Sequence, residues 1–217
     1  MDWQLDAPEA RVLGSLLEKE IATPEYYPLS LNALVNACNQ KSNREPVVAF
    51  DEDIVEVALA GLRAKGLAVR ITGDSRVPKH GQRFTETLNL GRREAALMCL
   101  LLLRGPQTVG ELRGRSDRLY SFDDLEAVES TLERLGEAGL VKKLPRTPGS
   151  RESRYAHLLS GDVAAPEEGD LEPASSRISG REEPVALPEA VEERIAGLER
   201  ELALLRREFD DFRRSFE

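Results

Sequence analysis

Cysteine, histidine and aromatic residues are scarce in this chain, and each shortage removes a class of explanation. The 217 residues include two cysteines and two histidines. Cys38 and Cys99 lie far apart in apolar runs, where buried reduced thiols are expected rather than a disulfide framework. His80 and His157 are equally scattered, so no metal-ligand spacing can be assembled, and no metal or other cofactor is expected. The longest apolar run, residues 95–103, has nine residues, against the roughly twenty of a membrane span. The N-terminus, Met1-Asp2-Trp3-Gln4-Leu5-Asp6, has no basic segment of the kind that opens a secretory signal. A cytoplasmic protein without membrane contact is the expectation. Motifs of enzymatic chemistry are missing as well: there is no Gly-x-x-x-x-Gly-Lys, Gly-x-Gly-x-x-Gly, His-Glu-x-x-His or Gly-x-Ser-x-Gly. The chain is not expected to be an enzyme.

Charge is abundant and unevenly spread. The net charge is −9, but residues 1–90 carry 10 basic and 13 acidic side chains, residues 91–160 carry 12 and 10, and residues 161–217 carry 8 and 16. Most of the excess acid therefore belongs to the last segment, and the overall balance says little about what the first 160 residues bind. Hydrophobic residues, 41% of the chain, suffice for two small cores.

The first 160 residues read as one unit used twice. In the first copy Asp6 and Glu9 form a capping box for a helix over 7–20, Ser30 caps a short helix over 31–38, and a polar loop leads to a helix over 53–65. That helix stops at Gly66, and strands over 67–72 and 83–88 make a hairpin whose loop carries His80 at the wing tip. In the second copy a helix over 92–103 is followed by a Thr108/Glu111 capping box for a short helix. Ser121 and Asp124 suggest a second box for a helix over 124–138 with the stripe Leu125, Val128, Leu132 and Leu135. Gly139 ends it, and strands over 140–144 and 153–159 follow. At a constant offset of 73, Val55, Leu59, Leu62, Gly66 and Leu67 fall on Val128, Leu132, Leu135, Gly139 and Leu140. The fold class expected is mainly α with small β wings, an α+β arrangement of two tandem winged helix-turn-helix domains, 1–90 and 91–160.

Residues 161–187, rich in Pro, Gly, Ser and Glu, read as a disordered acidic linker. Residues 188–217 read as a coiled-coil helix. Ile195, Leu202, Phe209 and Phe216 take a positions and Val191, Leu198, Leu205 and Phe212 take d positions, with opposite charges at the flanking g and e positions. The seam suits a homodimer, or a single helix laying its stripe on the protein's own body or a partner.

Several long runs resemble one known family. They are Tyr27-Pro28-Leu29-Ser30-Leu31-Asn32-Ala33-Leu34, Cys38-Asn39-Gln40-Lys41-Ser42-Asn43-Arg44-Glu45-Pro46, Ser75-Arg76-Val77-Pro78-Lys79 and Leu102-Leu103-Arg104-Gly105-Pro106-Gln107-Thr108. Over roughly residues 5–160 the chain is similar to the YceH-like bacterial proteins. The resemblance implies a pair of winged-helix domains and carries over no catalytic residue.

For function, the residues divide between two readings. Basic wings favour duplex DNA and a regulator-like role: Arg76, Lys79 and Arg83 in the first, Lys142, Lys143, Arg146, Arg151 and Arg154 in the second. Lys41, Asn43 and Arg44 in the loop after the first short helix could reach phosphates or base edges. Basic wing residues can equally be a solvated defence of an edge strand, and the loop can equally hydrogen-bond its own backbone. Against DNA stand Asp51, Glu52, Asp53 and Glu56 at the start of one recognition helix and Asp123, Asp124, Glu126 and Glu129 at the other, which would repel phosphates. The second reading is a tandem winged-helix module that docks a protein partner and does not bind DNA.

Overall fold

Local hydrogen bonding starts and stops each helix where side chains can satisfy the ends. The computed structural model describes residues 3–72, 77–146 and 152–161. Helix α1 (Ala7–Ala22) begins at a complete capping box: Asp6 accepts from the Glu9 amide at 2.7 Å, and the Glu9 carboxylate accepts from the Asp6 amide at 2.9 Å. Two of the amides that a helix start leaves without partners are thereby satisfied. After a 3-10 turn over Pro24–Tyr26, Ser30 caps α2 (Leu31–Cys38) by accepting from the Ala33 amide. A loop leads to α3 (Glu52–Ala64), capped by Asp51. Gly66, at φ +73°, ends α3: its amide donates to the Arg63 carbonyl and the Leu67 amide to the Leu62 carbonyl. This left-handed turn strains any residue with a Cβ, and it drives Leu67 into the core. Strand β1 (Ala68–Ile71) then pairs antiparallel with β2 (Lys79–Gln82), while Leu29 and His80 exchange both backbone hydrogen bonds.

The second half repeats much of this scheme. It comprises α5 (Arg92–Arg104), α6 (Val109–Ser116), α7 (Leu125–Glu137), β3 (Val141–Lys143) and β4 (Tyr155–His157), with the short α4 (Phe84–Thr87) joining the halves. Both ends of α6 lie 78 residues after those of α2, and both ends of α7 lie 73 after those of α3. The offset falls because the α2–α3 connection is five residues longer than the α6–α7 connection. Gly139, at φ +70°, reproduces the helix stop: its amide bonds Gly136 and that of Leu140 bonds Leu135. Gln107 and Tyr155 reproduce the Leu29–His80 exchange, and Thr108 with Glu111 completes its capping box. Seven α-helices and two small antiparallel hairpins among the described residues make a mainly helical, winged-helix-like α+β fold.

The halves share one apolar interior. Leu13, Leu16 and Leu17 of α1 join Leu97, Leu101 and Leu103 of α5 in a single buried cluster, with Leu59 and Leu62 of α3 and Leu132 and Leu135 of α7. Each such leucine is worth about 1.5–3 kcal/mol of burial. The two central helices touch closely at Gly14, where a Cβ would stand 2.9 Å from the Leu103 side chain. The described residues all belong to one compact unit, Met1–Gly169.

The first half's extra loop is fastened by buried polar side chains. Its backbone lacks a ladder, so side chains supply the partners. Arg11 of α1 donates to the Cys38 and Pro46 carbonyls at 3.3 and 2.6 Å. Arg44 donates to the Ala37 and Asn43 carbonyls and to the Glu18 carboxylate, the last at 2.6 Å. Asn39 closes the loop by exchanging two bonds with the Phe50 backbone. The loop also reaches the second half, where the Glu45 amide donates to the Leu103 carbonyl at 2.9 Å.

Several local expectations are corrected. Residues 83–88 do not form a strand: Gln82 accepts from the Thr85 amide through its side chain and buries Phe84 beneath a helical turn, so β2 ends at Gln82. His80 sits within β2 and is buried, not at a wing tip. Asp124 caps α7 by itself, accepting from the Ala127 amide. Leu125, at the first position of α7, points away from the core and is 50% exposed.

Candidate nucleic-acid interface

Helices α3 and α7 hold the recognition position of each half, and neither presents a cationic face. On α3 the exposed residues include Asp53, Glu56, Val57, Ala60 and Arg63, with Val57 71% exposed. On α7 they are dominated by Glu126, Glu129, Glu133 and Glu137, while Arg134 is paired with Glu94 at 3.1 Å. Acid at the helix start suits the macrodipole and the caps. It would oppose a phosphate backbone carrying one charge per about 1.7 Å of duplex.

The residues nominated from sequence are placed very differently from one another. Arg44 is a correction: its side chain is fully buried on Glu18 and on carbonyls of its own loop, so it holds the loop and cannot reach a phosphate. Burial would raise the Glu18 carboxyl, but hydrogen bonding and charge from Arg44, helped by Lys19 and Arg118, hold it below its ordinary value. Lys41 is exposed. Asn43 adopts a left-handed φ of +59° and accepts from Arg104 at 3.4 Å. In the first wing Lys79 is half-buried and Arg83 is exposed but paired with Glu86 at 3.1 Å. In the second wing Lys142, Lys143 and Arg146 are exposed. Lys142 lies on the rim of a groove of about 780 Å³ lined by Trp3, Leu140 and Leu158. Lys143 is placed 5.6 Å from the Tyr155 ring, within cation–π range. Arg154 donates to the Pro106 carbonyl at 2.9 Å and pairs with Glu111 at 3.1 Å. Arg76, Arg151 and the seam from Val191 to Phe212 lie outside the described residues.

A series of arginines lies between the second wing and the first half's loop. Glu111 takes Arg154 on one oxygen and Arg115 on the other, the latter at 3.3 Å. Arg115 also donates to the Gln107 side-chain carbonyl at 2.8 Å, and the buried Gln107 amide is fixed by donating to the Leu100 carbonyl. Arg104, at the end of α5, then reaches Asn43. Among the described residues, Arg104 has no carboxylate within ion-pair distance. Its guanidinium is held below its ordinary pKa by burial first, then by Arg115, with Arg44 adding to this and Glu45 and Glu111 opposing it. Arg104, Arg113, Arg115 and Arg118 were not nominated from sequence. The run Arg113-Gly114-Arg115-Ser116-Asp117-Arg118 carried the signal, but a basic last turn on a short helix reads equally as complement to its dipole. Arg118 extends across to Glu18 of the first half at 4.0 Å.

Comparison with known proteins places the chain in a family. The family described as "Protein of unknown function, DUF480" matches residues 5–150. A UPF0502 protein of Solibacter usitatus is 64% identical over 217 residues, covering 100% of both chains. One from Pelobacter propionicus is 50% identical over 222 residues, again across both full lengths. One from Koribacter versatilis is 59% identical over 157 residues, covering 71% of this chain and 73% of its own. With matches of this extent, in keeping with the YceH-like resemblance of its sequence, the chain belongs to the DUF480/UPF0502 family of bacterial proteins.

Proposed function

We propose that the protein binds duplex nucleic acid through its phosphates, in a regulator-like and non-enzymatic role, using cations of its second half. The contacting side chains are Arg104, Arg115 and Arg154 with Lys143 and Arg146, and the recognition helices stay clear of the groove. One observation carries this reading: Arg115 and Arg154 share one carboxylate, Glu111, and among the described residues Arg104 has no carboxylate within ion-pair distance. Guanidiniums fixed by neutral partners retain their charge for an incoming anion and lose little freedom on binding it. Such contacts position a duplex without reading its sequence. Self-association through the seam Val191, Ile195, Leu198, Leu202, Leu205, Phe209 and Phe212 belongs to the same proposal, since a dimer doubles the phosphate contacts.

Fluorescence anisotropy of the full chain with a random duplex tests the reading. Binding at about 50 mM salt should weaken steeply by about 200 mM, with a slope set by the number of phosphates neutralised. Absence of binding at the lower salt, with the protein shown folded, rejects it.

One observation favours a protein partner instead. The exposed side of α3 is apolar at Val57, Ala60 and Ala64, where the corresponding α7 positions are Ser130, Glu133 and Glu137. A partner bound there would be lost on Val57→Glu, with duplex affinity unchanged.

A further inference from the structure

We propose that Arg104, Arg115 and Asn43, where the two repeats meet, form a discrete seat for one phosphate group. The inference rests on the nucleic-acid reading for the source of that phosphate, not for its presence. Three features of the junction support a built site rather than a diffuse basic surface.

The first is preorganisation. Arg115 is held on two sides, by the Gln107 carbonyl at 2.8 Å and by Glu111 at 3.3 Å, and Gln107 is itself 1% exposed. A guanidinium oriented by a buried amide presents its remaining N–H groups in a fixed fork, which matches two phosphate oxygens.

The second is charge. Glu111 is shared between Arg115 and Arg154, and among the described residues Arg104 has only the neutral Asn43 oxygen as a side-chain partner. Glu45 is the other carboxylate acting on Arg104, and it is exposed. A half-buried cation without a counter-ion is costly, and an arriving anion removes that cost in a medium less polarisable than water.

The third is backbone. Asn43 holds a left-handed conformation, φ +59°, and Gly105, next to Arg104, holds φ +71° and ψ −155°. Conformations of this kind persist where surrounding structure enforces them, and they concentrate at binding sites. Here they bring a loop of the first repeat and a helix end of the second to the same place, fastened by the Glu45–Leu103 backbone bond. A phosphate seated there would touch both repeats.

The test is calorimetric titration of the full chain with inorganic phosphate at matched ionic strength. Beside the natural chain, Arg104→Gln, Arg115→Gln and the first-wing control Lys79→Gln/Arg83→Gln are titrated, each checked for folding by circular dichroism. Arg115, one-third exposed, can be replaced with less risk to the fold than Arg104, and Arg104→Lys is the conservative companion. Saturable binding at one site per chain is expected, weakened at least about tenfold by either glutamine variant and unaffected in the wing control. No saturable binding, or equal weakening in the wing control, overturns the seat.

A duplex arm identifies the source. If a backbone phosphate fills the seat, Arg104→Gln lowers duplex affinity and reduces the salt slope by about one, with 5′-phosphorylated and 5′-hydroxyl duplexes alike. If a terminal or free phosphate fills it, only the phosphorylated end is affected, or inorganic phosphate binds and duplex does not. In that last case the seat stands and the nucleic-acid reading falls. Duplex and phosphate both bound by Arg104→Gln and Arg115→Gln as by the natural chain would leave the nucleic-acid reading and remove the seat.

Discussion

The two halves of the molecule share a hydrogen-bonded frame and almost none of their surface. Helix stops at Gly66 and Gly139, the bridges Leu29–His80 and Gln107–Tyr155, and the lengths of α2 and α6 and of α3 and α7 coincide. Outside that frame they diverge. The first half buries Arg11 and Glu18 in α1, where α5 aligns Ala95 and Leu102, because only the first half has a long α2–α3 loop to satisfy. The second half gathers cations on the α5–α6 corner and the wing, while its α7 is more acidic than α3. The two halves keep in common what a fold needs locally and differ in the chemistry of their outer faces.

The comparison breaks most severely at the buried pair that only the first half possesses. Arg44→Ala leaves Glu18 buried and the Ala37 carbonyl without its donor, and should cost about 3–5 kcal/mol in denaturant unfolding. Replacing Leu102, at the position matching Glu18, with alanine removes only apolar contacts, about 2–5 kcal/mol, and should leave the pH dependence of stability unchanged. In Arg44→Ala, Glu18 loses the partner that lowers its pKa, so stability gained as pH rises through the carboxylate range shrinks.

Crowding at the contact between halves comes next. Gly14→Ala places a Cβ against Leu103 and should destabilise by about 1–3 kcal/mol while keeping a single unfolding transition, because the core is continuous. Two separate transitions would show that the halves are energetically independent.

The helix stops sharpen the comparison by their sameness. Gly66→Ala and Gly139→Ala each force a side chain into a left-handed turn with no neighbour within 4 Å of the added Cβ. Their costs should be nearly equal, about 1–2 kcal/mol each. Unequal values would mean that one stop carries tertiary load that the other does not.

A smaller contrast concerns pH. Burial pushes His157 down to about 4 from an ordinary 6.5, and its Nδ1 is buried without a hydrogen-bond partner. Its folded pKa is below its unfolded one, so the unfolded chain takes up the proton first. The associated stability is present above about pH 6.5 and is lost as pH falls toward 4. Because His157 is partly exposed, the effect should be roughly 1–2 kcal/mol, and His157→Gln should flatten that part of the profile.

How much of this was legible in the sequence follows the range of the interactions. Asp6 with Glu9, Thr108 with Glu111, and both glycine stops act within five residues, and their positions could be read directly. The helical turn at Phe84–Thr87 could not, because alternation over 83–88 suits a strand until Phe84 is buried and Gln82 caps Thr85. Arg44 looked free for phosphate because its carboxylate partner, Glu18, lies 26 residues away on α1. The arginine series escaped notice for the same reason. Its members come from α5, α6, β4's approach and the Asn43 loop, and only the folded chain brings them together.

The account stands most directly on which half meets the phosphate backbone. Duplex affinity at about 50 mM salt should be compared between the natural chain, Lys143→Gln/Arg115→Gln/Arg154→Gln, and Lys79→Gln/Arg83→Gln. The second-half variant should lose at least about tenfold in affinity with a shallower salt slope, and the first-half variant less than about threefold. An equal or larger loss in the first-half variant, or no duplex binding by the folded natural chain, would contradict it.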